Sequence, residues 1–287
     1  MSTTEPARDG ATEAVTAPPD GPAGAVSTTG AAGSTRPPGL GTPAVVLSAC
    51  FVLAGLVIYL VGLPESSTVF GTPLADLTLP AALFVAFAGV SGVVAVSTSA
   101  PWRVVDIVVA SVLGVAGGLV FALWNVWWET LSRTLQPPAS AIVVGIWLFP
   151  AVLGALVVRR PGAAVYTELV AATVSALIGN QWGFATVWYG LVEGLGAEIV
   201  FALLLYRVWG LGAALLAGLG TGVTVGLLDT VVYFPEVLDG AGKLAYVGLS
   251  ALSGLVIAGL GSWALTRALA RTGVLSGLAS GRAAERV

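Results

Sequence analysis

Eight apolar runs, each close to the length that a bilayer demands, take up most of this chain. They lie at about 43–63, 78–98, 103–127, 140–158, 163–179, 184–206, 211–233 and 243–270, the fifth being the shortest. A helix needs roughly 20 apolar residues to cross hydrocarbon, and in lipid every backbone N–H and C=O must be satisfied within the protein. Pro or Gly marks most of the boundaries, as at Pro64, Pro73, Pro101, Pro137–Pro138, Pro161–Gly162, Gly210, Pro235 and Gly240, where these residues break helices and let the chain turn. The pattern predicts an all-α integral membrane protein of eight transmembrane helices.

Charge supports this reading. Only 9% of residues are charged against 56% hydrophobic, whereas a soluble domain carries roughly 25% charged residues. The chain has no histidine, which excludes most imidazole-dependent hydrolases and the usual zinc enzymes. Cys50 is the single cysteine and lies within an apolar run, so neither a disulfide framework nor a cysteine metal site is expected. No metal and no cofactor is expected. A net charge of −3 without a long Lys/Arg cluster argues against nucleic-acid binding.

Residues 1–40 are rich in Ala, Gly, Pro, Ser and Thr, a composition that cannot offset the entropy of ordering, and are expected to form a disordered tail. Short loops set orientation through Lys and Arg. With the N-terminus in the cytoplasm, Arg8, Arg36, Arg103, Arg159, Arg160, Arg207, Arg267, Arg271, Arg282 and Arg286 fall on the cytoplasmic side. Only Arg133 and Lys243 fall outside. The expectation is a multi-pass protein of the cell (plasma) membrane, surrounded by lipid, with both termini cytoplasmic.

Small residues recur every fourth position in three runs: Ala110, Gly114 and Gly118; Gly218, Gly222 and Gly226; Gly254, Ala258 and Ser262. That spacing lets another helix approach closely, either inside the bundle or from a partner protein.

Ionisable groups inside a membrane cost a few kcal/mol and need a reason. Asp106 and Glu168 are placed near cytoplasmic helix starts, where they can complement helix dipoles and meet Arg103, Arg159 or Arg160. Glu193 and Glu198 lie deeper, about 13 and 21 Å below Phe184 at 1.5 Å per residue. They point about 140° apart around the helix. Glu193 is expected to face an outward cavity and Glu198 a neighbouring helix. Trp124, Asn125, Trp128 and Glu129 crowd the outer end of one run; Asn180, Gln181, Trp182 and Tyr189 crowd the turn that precedes Glu193. Interfacial aromatics usually anchor a helix in the membrane, but that leaves the accompanying amides and carboxylates unexplained. Indole faces and a dehydrated carboxylate hold an organic cation. These nine residues, from Trp124 to Glu193, are the expected ligand-binding set, and the ligand read from them is small, aromatic and cationic.

Several stretches carry a family resemblance: R-R-P-G-A-A at 159–164, the Gly179–Asn180 turn, G-L-G-A-E at 194–198 and R-T-G-V-L at 271–275. Over about residues 102–286 the chain resembles the YkoE-type substrate-binding (S) component of energy-coupling factor transporters. The resemblance implies a six-helix bundle over 101–287, preceded here by two extra transmembrane helices over 41–100. It implies thiamine or its hydroxymethylpyrimidine precursor as ligand. As partners it implies a transmembrane coupling subunit with two ATPase subunits, docked on a small-residue face that falls on Ala110, Gly114 and Gly118.

Two other classes fit less well. A membrane enzyme or scaffold facing the cytosol would carry its polar groups inward, and here they are mostly outward. A stand-alone secondary transporter would show paired broken helices in two related halves, and no such repeat is evident. A cysteine placed at Gly240 tests the topology: a membrane-impermeant maleimide should label it in intact cells, and labelling only after permeabilisation would invert the orientation.

Overall fold

The computed structural model describes residues 102–284, together with Thr68, Val69, Thr72, Pro73, Val85, Gly89 and Gly92. Thr68–Val69 pairs antiparallel with Thr72–Pro73, and Val85, Gly89 and Gly92 are helical. Otherwise the expected tail and the two extra helices lie outside the described residues.

Helix α1, Val104–Thr134, is followed by a 3-10 segment, Ala139–Ile146, that leads into α2, Phe149–Val158. Then come α3, Ala163–Ile178; α4, Ala185–Leu203; and α5, Leu211–Val232. The last crossing begins as α6, Gly240–Ser253, passes through a π-helical stretch, Gly254–Leu260, and ends as α7, Gly261–Arg271. A short α8, Ala279–Ala284, follows. Five of these crossings are long and apolar enough to span a bilayer, and α3 is the shorter sixth.

At the centre stands α2, with every residue from Pro150 to Val158 buried. Around it α1 packs on α3, α3 on α4, α4 on α5, and α5 on the last crossing, which closes against the 3-10 segment and α2. The outward side of α1 presents Val112, Leu119, Leu123 and Val126, side chains that would aggregate in water and are at home in lipid. The R-T-G-V-L tail leads Leu275 and Leu278 under the end of α2, where Ser280 Oγ donates to Val157 O at 2.7 Å.

The run at 140–158 is broken in the middle, and the last crossing widens into its π-helical stretch where it meets that break. Ser253 Oγ accepts from Gly145 N at 2.9 Å and donates to Ile142 O at 2.6 Å. Gly145 N and Ile142 O lie at the i→i+3 spacing of a 3-10 helix, so the hydroxyl bridges a donor and an acceptor of that segment. Gly145 leaves room for it: a Cβ there would run into Ser253 O.

All three small-residue ladders pack inside the chain. A Cβ at Gly114 would lie 2.6 Å from Val170 Cβ and 2.8 Å from Thr167 O, and one at Gly118 2.6 Å from Val174 Cβ. Ala110 is fully buried. Ala110, Gly114 and Gly118 therefore form the seam between α1 and α3, and the expectation that they dock a partner is corrected: this chain's own helix covers them. Gly218 and Gly222 meet Gly254 and Ser250 in the same way, backbone against backbone.

Because backbone atoms as well as side chains crowd Gly114, even one methyl group is too many. Gly114→Ala should destabilise the detergent-solubilised protein by about 1–3 kcal/mol, the usual penalty for overpacking, read as a lower melting temperature. An unchanged melt would mean that the α1–α3 seam can open at little cost.

Candidate ligand-binding cavity

At the end of the bundle away from Arg103 and Arg160, the helices part around a cavity of about 410 Å³. This is within the range of small-molecule sites. The 31-residue α1 reaches it because nothing breaks the helix before Pro137, so α1 runs about 46 Å at 1.5 Å per residue. That carries Trp128 and Ser132 past the apolar layer to the cavity wall, and Gln136 and Pro137 close the rim.

One face of α4 and the turn before it supply Trp182, Thr186, Tyr189 and Glu193, at helical spacings of four, three and four. From α5 come Val225, Asp229 and, just past its end, Tyr233, again four apart. Trp147, at the end of the 3-10 segment, and Tyr246 of α6 complete the aromatic lining with Phe121 and Phe234. Among the described residues the lining includes two carboxylates, Glu193 and Asp229, and no Lys or Arg.

Trp147 is the hub of the aromatic wall. Its ring meets Trp124, Trp128 and Trp182 edge-on at centroid distances of 6.1, 5.0 and 6.0 Å, the arrangement that aromatic quadrupoles favour. Its indole Nε1 donates to Asn125 Oδ1 at 3.0 Å, and Asn125 Nδ2 donates to Ser175 Oγ at 3.1 Å. Asn180 Oδ1 accepts from Trp182 N at 2.9 Å and from Thr186 Oγ1 at 3.1 Å. The two asparagines thus hold the wall in place from behind.

The tyrosines organise the other wall. Tyr246 OH donates to Asp229 Oδ2 at 2.8 Å, and the Tyr189 and Tyr233 rings lie 5.4 Å apart. The Tyr189 hydroxyl is buried beside Tyr233 and Asp229.

Of the expected ligand set, Trp128, Trp182, Tyr189 and Glu193 line the cavity. Asn125 and Asn180 stand one layer back, and Trp124 sits behind Trp147 facing a lateral apolar recess. Glu129 and Gln181 are exposed and outside the lining, which corrects their assignment. Each neighbours a lining tryptophan in sequence, and a step of 100° along α1 turns Glu129 away. The sequence reading missed Asp229, Tyr233, Tyr246 and Trp147. Asp229 carried a usable signal, as a lone acid within the apolar run 211–233.

The deeper glutamates have structural duties. Glu198 takes Gly162 N at 2.6 Å, Ala164 N at 3.0 Å and Val165 N at 3.5 Å, and accepts from Tyr206 OH at 2.8 Å. It therefore caps the start of α3 from α4, and it joins the R-R-P-G-A-A and G-L-G-A-E motifs. Arg103 and Arg160 both reach Asp106, at 2.7 and 3.1 Å. Glu168 meets none of the arginines expected for it. Its Oε2 instead accepts from Ala151 N at 2.7 Å, in the first turn of α2.

With this geometry the chain can be set beside known proteins. A family model described as an ABC-type cobalt transport system permease component matches residues 105–224. A Bacillus subtilis (strain 168) protein, YkoE, named as an HMP/thiamine permease, is 34% identical over 181 residues, 63% of this chain and 91% of the relative. A solved structure of an S-component of an ECF transporter superposes with a TM-score of 0.63 at 33% identity, covering 65% of this chain and 94% of the other. The chain belongs to the S-component family of energy-coupling factor transporters. It is a multi-pass membrane protein of transport, and its relatives are transport components rather than enzymes.

Placed in that family, Glu198 and Glu193 separate by role. Glu198→Ala should strand buried N–H groups at about 1–3 kcal/mol each and lower the melting temperature, while any protein that still folds keeps its cavity. Loss of ligand binding at an unchanged melting temperature would instead move Glu198 into the site.

Proposed function

We propose that this protein is the substrate-capturing subunit of an importer for thiamine or its hydroxymethylpyrimidine precursor. The observation that carries the reading is the cavity's chemistry: two carboxylates, Glu193 and Asp229, among indole and phenol rings, with no basic residue among the described lining residues. Thiamine is a flat aminopyrimidine joined to a cationic thiazolium. Aromatic faces hold such a cation by cation–π attraction, and a dehydrated carboxylate pairs with it. The relative named as an HMP/thiamine permease supports the same ligand.

In this reading the binding residues are Trp128, Trp147, Trp182, Tyr189, Glu193 and Asp229, steadied by Asn125 and Asn180. The cavity opens outward and both termini lie in the cytoplasm, as the distribution of arginines favours. The domain over 101–287 binds ligand, and the two helices within 41–100 are an addition to it. Family membership supports a separate coupling subunit in the membrane and two ATPase subunits beneath it, to supply the energy of uptake.

Binding of thiamine to the purified protein, followed by calorimetry or quenching of the cavity tryptophans, tests the reading. Glu193→Gln keeps the shape and removes the charge, and loss of one partner of a buried charge pair costs about 2–5 kcal/mol. Thiamine affinity should fall roughly thirtyfold or more at 1.4 kcal/mol per tenfold, with a smaller loss for uncharged hydroxymethylpyrimidine. Asp229→Asn, which can still accept from Tyr246, should also weaken thiamine. A wild-type protein that binds neither ligand would end this assignment.

A further inference from the structure

The polar groups of the cavity are of two kinds, set at different depths. Glu193 stands inside α4, about 12 Å from its start at 1.5 Å per residue, and Asp229 lies about 6 Å before Tyr233 in the last turn of α5. Ser132, Gln136 and Ser140 are neutral and gather at the rim, where α1 ends and the 3-10 segment begins. Most of the neutral donors are already engaged within the chain. Thr186 Oγ1 donates to Asn180 Oδ1 at 3.1 Å, Tyr246 OH to Asp229 Oδ2 at 2.8 Å and Trp147 Nε1 to Asn125 Oδ1 at 3.0 Å. Gln136 Nε2 donates to Arg133 O at 3.1 Å, and Ser132 Oγ to Glu129 O at 3.4 Å. Ser140 differs. It lines the cavity and is only 2% exposed, yet its Oγ has no hydrogen-bond partner among the described residues. A buried hydroxyl that bonds to nothing destabilises the empty protein, and a ligand atom set against it would end that penalty.

We propose that Ser140 is a specificity-determining residue: its hydroxyl donates to a nitrogen of the ligand's neutral ring, so that this ring lies at the rim and the cationic ring lies deeper, against Glu193 and Asp229. This rests on the cation-binding reading above. The two acids draw the thiazolium inward, which leaves the aminopyrimidine, joined to it through one methylene, beside the 3-10 segment. The pyrimidine nitrogens are acceptors, and Ser140 brings the donor that the engaged groups cannot spare. The hydroxyethyl arm leaves the thiazolium on the side away from the pyrimidine. In this pose it points to the cavity floor at Phe121, Val144 and Val225, past the acids.

Binding of three ligands to the purified protein decides it: thiamine, hydroxymethylpyrimidine, and the thiazolium half with a methyl group in place of the pyrimidine. Ser140→Ala should weaken thiamine and hydroxymethylpyrimidine alike, by about fivefold to tenfold, and leave the thiazolium within about twofold. Glu193→Gln should do the converse and weaken the thiazolium along with thiamine. Because the hydroxyl has no partner to lose, ligand-free Ser140→Ala should melt no lower than wild type. Thiamine monophosphate would carry its phosphate past the acids in this pose, so wild type should bind it about a hundredfold more weakly than thiamine, or worse. The proposal is overturned if Ser140→Ala binds hydroxymethylpyrimidine like wild type, or if it loses the thiazolium equally. A lower melting temperature of the ligand-free variant would also overturn it, as would a wild type that takes the monophosphate as tightly as thiamine. Each of these results leaves thiamine bound by wild type. A wild type that binds neither ligand would instead end the ligand reading, and this proposal with it.

Discussion

A helix that begins inside a bilayer exposes N–H groups where there is no water to meet them, and each such group costs several kcal/mol if left alone. This bundle has two such starts. Helix α2 begins partway through its crossing, after the 3-10 segment, and α3 is only 16 residues, about 24 Å, against roughly 30 Å of hydrocarbon. Both are closed by a glutamate from the next helix along: Glu168 of α3 on α2, and Glu198 of α4 on α3. The acids that looked costly in the sequence are what allow the chain to interrupt its helices, and the interruption at Trp147 is what turns an indole into the cavity.

Much of the architecture was readable in advance because lipid permits so few solutions. The six runs from residue 103 onward each match an observed crossing within a few residues at most of their ends, and Pro and Gly fall where the chain turns. The far end of α1 was misjudged, since apolarity stops near Trp127 whereas the helix continues to Thr134. Hydropathy reports where lipid ends, and backbone chemistry reports where a helix ends; between Trp128 and Pro137 the two part company.

The cavity was half legible. Depth and helical phase along α4 pointed to Glu193 and Tyr189, because both follow from one helix alone. Which residues of other helices come to face them depends on crossing geometry that no single run contains. Asp229, Tyr233 and Tyr246 reach the cavity through the contact of α5 with the last crossing at Gly218, Gly222 and Gly226, so a ladder that reads as packing decides where an acid and two phenols end up. Sequence neighbours misled in the opposite direction: Glu129 and Gln181 adjoin lining tryptophans yet look away.

The hydroxyl of Ser253 has a mechanical meaning. It bonds to Gly145 N and to Ile142 O of the 3-10 segment while belonging to the last crossing. The two helical segments of this joint are thus tied through one side chain, which serves a donor and an acceptor at once. Ser140, Val144 and Trp147, all on the cavity side of that segment, therefore share their freedom with the π-helical stretch that starts at Gly254. Any shift of the tryptophan wall that moves this segment must carry the last crossing with it or break the two bonds that Ser253 makes.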